Sequence, residues 1–111
     1  MDNLEHERQV ISQILKEYAG HRYRNIPITN VTVFDREADR YLVMMMGREN
    51  KKFVHGCLIH VEIIDDKIWI QRDGTEYGIA NELVDAGIPK DKIVLGFKSP
   101  EMRQYTEFAA A

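Results

Sequence analysis

Two strand-like runs joined by only two residues constrain this chain more than any other feature. Phe53 to Ile64 and Lys67 to Asp73 are rich in β-branched and aromatic residues, and Asp65-Asp66 lies between them. So short a connection requires an antiparallel hairpin, and Asp tolerates the left-handed backbone of such a loop better than most residues. The register follows from the loop: Ile64 opposite Lys67, Ile63 opposite Ile68, Glu62 opposite Trp69, Val61 opposite Ile70 and His60 opposite Gln71. One face then reads Cys57, Ile59, Val61, Ile63, Ile68 and Ile70, which is a core face. The other reads Leu58, His60, Glu62, Trp69 and Gln71, an amphipathic face with the chain's single tryptophan in its middle.

Two more strands precede the hairpin. Thr29 to Asp35 is β-branched, Asp35 to Asp39 is a polar turn, and Arg40 to Gly47 contains the run Tyr41-Leu42-Val43-Met44-Met45-Met46. That run is apolar on both faces, the pattern of a strand covered from both sides. Upstream, Leu4, Val10, Ile11, Ile14, Leu15 and Tyr18 recur at helical spacing, predicting an amphipathic helix over 4–18. Asp2 or Asn3 can cap its start and Gly20 can end it, with a connector from His21 to Pro27. Downstream, Asp73-Gly74-Thr75-Glu76 reads as the capped opening of a second helix with the apolar stripe Ile79, Ala80, Leu83 and Val84, stopped by Gly87. Ile93 to Phe97 is a short buried extended segment, and Ser99-Pro100 starts a third, short helix. The expected fold is α+β: an N-terminal helix, a four-stranded antiparallel meander and two C-terminal helices in one domain over 1–111.

Composition narrows the function classes. With 44% hydrophobic and 30% charged residues the chain is globular, and no apolar run approaches the roughly 20 residues that span a bilayer. The first residues lack the pattern of a signal peptide, and a lone cysteine, Cys57, fits a reducing, cytoplasmic setting. A net charge of −3 argues against a free-standing DNA binder, whose affinity comes from neutralising phosphates. A local basic patch is compatible with that balance. Arg36, Arg40, Arg48, Lys51 and Lys52 cluster at hairpin ends, although Glu37, Asp39 and Glu49 interleave with them.

The chemical motifs have simpler explanations. His55 and Cys57 share a face in strict alternation while His60 falls opposite, so three zinc ligands do not converge, and Cys57 is expected to be a core thiol. Asp65-Asp66-Lys67 resembles part of a nuclease core but is accounted for by turn chemistry. Asp73 and Glu76 would repel a phosphate at that helix start. With no nucleophile elbow, Walker loop or dinucleotide fingerprint, the expectation is a binding protein without catalytic residues, cofactor or metal.

Longer collinear segments carry a resemblance. They run from His55-Gly56-Cys57-Leu58-Ile59-His60 through Lys67-Ile68-Trp69-Ile70-Gln71 and Asp73-Gly74-Thr75-Glu76. They continue with Ala86-Gly87-Ile88-Pro89, Ile93-Val94-Leu95-Gly96-Phe97 and Thr106-Glu107-Phe108-Ala109. With the N-terminal helix, this resembles the XisI family, the fdxN-element excision controlling factors typical of cyanobacteria, over essentially the whole chain. The resemblance implies a part in programmed DNA rearrangement and heterocyst differentiation. The chain would act beside a site-specific recombinase and an XisH-like companion of nuclease-like fold, with no active site of its own. The expected partner is therefore a protein, with direct DNA contact through the basic hairpin ends as the alternative. The expected partner-binding residues are Leu58, His60, Glu62, Trp69 and Gln71, covered in a homodimer or by the companion.

Overall fold

A computed structural model describes residues 3–20 and 27–111. The cap at Asp2 and the connector over 21–26 lie outside the described residues. Helix α1 spans Asn3–Ala19, and Ile11, Ile14 and Leu15 on its apolar stripe are buried. It is followed by strands β1 (Ile28–Asp35), β2 (Arg40–Glu49), β3 (Lys52–Ile64) and β4 (Lys67–Asp73), then α2 (Ile79–Asp85). A single 3-10 turn (Lys90–Lys92), strand β5 (Ile93–Leu95) and α3 (Pro100–Arg103) complete the chain.

The sheet has five strands in the order β1-β2-β3-β4-β5. The first four form the expected antiparallel meander. The fifth corrects the expected strand count. Ile93 to Leu95 leaves α2 and returns parallel to β4, pairing Ile68 with Ile93 and Ile70 with Leu95. A parallel neighbour needs a crossover, and α2 supplies it. Two tight turns use left-handed residues: Asn50 and Lys51 between β2 and β3, and Asp65 and Asp66 between β3 and β4.

Helices α1 and α2 lie on one side of the sheet. Between them and the strands sit Ile11, Leu15, Val43, Ile59, Val61, Ile68, Ile70, Ile79 and Leu83, all at most 1% exposed. Each such side chain contributes about 1.5–3 kcal/mol on leaving water. Helix α2 starts later than predicted. Asp73 still caps it, but from six residues away: one carboxylate oxygen accepts from Ile79 N (2.8 Å) and the other from Thr75 N (2.9 Å) and Thr75 Oγ1 (2.6 Å). Glu76 is exposed and takes no part in a capping box among the described contacts. Gly87, at φ 98°, ends α2 as expected, with Ile88 N donating to Leu83 O and Gly87 N to Val84 O. At α3, Ser99 Oγ accepts from Met102 N, and Pro100 takes the first helical position.

Candidate protein-binding face

Four of the five hairpin pairs stand as predicted, from Ile64 opposite Lys67 to Val61 opposite Ile70. The fifth does not: His60 pairs with Arg72, and Gln71 is the extra residue of a β-bulge. A second bulge separates β2 from β3. Val43 pairs with Ile59, Met44 pairs with Cys57, and Leu58 is extra. Directly opposed residues share a face, so each extra residue reverses the alternation beyond it.

Three expectations change as a result. Leu58 leaves the outer face and packs against the helix-side core. Cys57 leaves the core face and stands opposite outward-facing Met44 as a half-buried thiol. Burial pushes its pKa up, against the lowering influence of Arg72, while Sγ donates to Ile59 O (3.2 Å). His55, Cys57 and His60 now share one face. Among the described residues, however, no group of three or more His, Cys, Asp or Glu is placed to hold a metal ion. The bulge at Gln71 also aims Asp73 inward, where it caps α2.

The outer face is apolar towards β1 and β2. Val33, opposite Leu42, is 51% exposed, and Val31 stands opposite Met44. Near the β2–β3 turn Phe53 is 60% exposed, stacked on His55 at 6.1 Å between centroids, with the Arg48 guanidinium 5.5 Å from its ring centroid. Towards β3 and β4 the face becomes polar. His60 Nε2 lies 2.8 Å from Glu62 Oε1, and Arg40 Nε lies 3.8 Å from the same oxygen.

Trp69 stands on this face opposite Glu62, as predicted, and is half-buried. The Arg103 guanidinium lies 5.2 Å from its ring centroid. A Cβ at Gly96 would meet Gln71 Oε1 at 2.4 Å and the indole at 3.1 Å. The C-terminal segment is locked in place here: Arg103 donates to Lys98 O (3.0 Å) and Ala110 O (2.8 Å), and Ala109 bridges to Val94. Trp69 thus forms the floor under the C-terminal segment. The open apolar surface lies over β1, β2 and the start of β3.

The basic residues do not converge. Arg36 and Arg40 flank the β1–β2 turn, whereas Arg48, Lys51 and Lys52 flank the β2–β3 turn, at opposite ends of the ten-residue β2. Eight residues of strand hold Arg40 and Arg48 roughly 26 Å apart. At the first end Arg36 is tied to Glu5, and Arg8 grips Asp39 through two bonds of 2.7 and 3.0 Å.

On the helix side a cavity of about 680 Å³ opens between Glu17 and Tyr18 of α1, Leu58, the Gly74–Tyr77 loop and Glu82 of α2. Burial raises the Tyr18 phenol, against the lowering influence of Thr75.

The sequence matches the family model described as XisI protein over residues 1–110. The chain belongs to the XisI family. The fold is shared with a XisI-like protein from Anabaena variabilis ATCC 29413, with a TM-score of 0.89 at 32% identity, covering 97% of this chain and 99% of that one. It is shared too with the fdxN element excision controlling factor XisI from the same organism, with a TM-score of 0.84 at 36% identity, covering 99% and 100%. No curated protein matches the sequence. No helix of this XisI-family chain, among the described residues, is long and apolar enough to cross a membrane.

Proposed function

We propose that this XisI-family protein is a non-enzymatic accessory factor that controls excision of a DNA element by binding a protein companion of the XisH type, alongside a site-specific recombinase. The structural neighbour named as an excision controlling factor supports the biological setting. One observation carries the mode of action: helices α1 and α2 lie on one side of the sheet, leaving Val33, Leu42, Met44 and Phe53 on the other with no described element over them. Exposed apolar patches of this kind mark protein interaction sites. The basic residues stand at two distant turns, and those at the first are engaged by acids, which favours a protein partner over a DNA backbone.

The experiment mixes the purified chain with a purified XisH-like protein and measures complex formation by light scattering, with and without Phe53→Ser. A complex that weakens about tenfold or more in the variant, the scale of an interface hot spot, supports the assignment. Absence of a complex removes the companion reading. DNA binding by the chain alone, falling steeply with salt, replaces it with direct phosphate contact.

A further inference from the structure

The two edges of the sheet are built differently. The β5 edge is guarded: the strand is three residues long, and Ala109 bridges to Val94 beside it, with Ala109 N donating to Ile93 O at 2.9 Å. Among the described residues, the β1 edge carries no such protection. β1 is eight residues long and pairs with β2 without interruption from Ile28–Gly47 to Asp35–Arg40. No described strand pairs with its other side. In an antiparallel ladder alternate residues turn their N–H and C=O groups away from the neighbour, so half the backbone groups of β1 point outward.

Edge strands are ordinarily blunted by charge, proline, a bulge or brevity. From Ile28 to Phe34 there is no charge and no proline, and five of the seven residues are β-branched. Both bulges of the sheet lie in inner ladders, between β2 and β3 and between β3 and β4.

We infer that β1 is a self-recognition edge, pairing antiparallel with β1 of a second copy to make one continuous ten-stranded sheet. Charge favours this occupant. A two-fold axis normal to the sheet keeps like faces together in any register that pairs a residue with its own copy, and the register centred on Val31, the midpoint of the uncharged stretch 28–34, sets Thr29 against Val33 and Asn30 against Thr32 of the second copy. In that register the lone charge, Asp35, passes the end of the paired stretch and lies opposite Pro27. The two Asp35 carboxylates are then roughly 25 Å apart along the strands, so no like charges meet. The pairing also joins the apolar rows of the two copies, since Val31 and Val33 stand beside Met44 and Leu42. The self-pairing uses the backbone edge of β1 and the companion reading the outward side chains, Val33 among them, so the two adjoin at β1 but either stands without the other.

The test is light scattering and sedimentation of the purified chain at micromolar concentration, with hydrogen exchange read across β1. A dimer is expected, with β1 amides gaining protection as concentration rises. Val31→Lys places two ammonium groups face to face at the axis and is expected to raise the dimer dissociation constant roughly tenfold or more. Val33→Lys, at a side chain already half exposed, repeats the measurement without disturbing the core. A monomer at these concentrations overturns the proposal while leaving the companion reading intact. So does a dimer that survives both lysine variants and dissociates in Phe53→Lys, which would place the second copy on the outer face.

Discussion

Asp39 is where the smallest change should have the clearest effect. Its carboxylate takes two bonds from Arg8 on α1 and a third from the Tyr41 hydroxyl (2.9 Å), joining the first helix to the β1–β2 turn. The Arg8 guanidinium holds this carboxyl below its usual range, while burial and the hydrogen bond to Asp39 push the Tyr41 phenol up to about 12. A depressed carboxyl favours the folded state above the unfolded value of about 3.9, and that contribution is lost as pH falls through the lower folded value. Asp39→Asn is therefore expected to lower the melting midpoint by about 5 °C at neutral pH, with the gap to the parent protein closing as pH falls below the free carboxyl's range. A gap of constant size across that range would remove the ion pair as its cause. Cys57 makes a second residue-scale prediction. With its thiol raised and half-buried, it should label more slowly than in the unfolded chain at neutral pH, and more slowly still once a companion covers the outer face. Labelling unchanged by the companion would place the binding surface elsewhere.

At the scale of elements, the hairpin was legible because Asp65-Asp66 leaves one loop length and therefore one register near the turn. The bulges were not legible. An extra residue such as Leu58 or Gln71 has ordinary strand chemistry, and alternation read from side-chain type passes through it unmarked. β5 was visible as a buried extended segment, but its pairing depends on where the α2 crossover delivers it, which no local pattern encodes. The start of α2 was misplaced for a related reason. Asp73 caps it through a loop and not from the adjacent position, because the Gln71 bulge turns its side chain towards the helices. Asp73→Ala is expected to cost about 1–2 kcal/mol, as loss of a helix cap does, measured by urea denaturation. Hydrogen exchange should then rise first over the Gly74–Gly78 loop and α2. Uniform acceleration across the sheet would mean that the cap is not a local fastening.

For the whole molecule, the helix-covered core and the family were both readable from sequence, whereas the outer surface was only half so. His60, Glu62 and Trp69 do share a face, but the residues that leave that face open, Val33, Met44 and Phe53, lie on strands whose outward set depends on a bulge. Trp69 couples the C-terminal segment to the sheet through Arg103. Trp69→Ala is expected to lower stability by about 3 kcal/mol, in the range of large aromatic truncations, and to loosen the segment from Gly96 to Ala111 in limited proteolysis. A variant that melts like the parent protein but no longer assembles would return Trp69 to the binding surface. The paired bulges also bear on how relatives should be compared with this chain. Each acts as a half-period phase shift in a two-residue wave, so a relative lacking one extra residue must be aligned with its gap at Leu58 or Gln71. If the gap is placed a few positions away, every intervening side chain is assigned to the wrong side of the sheet, and buried positions are compared with exposed ones.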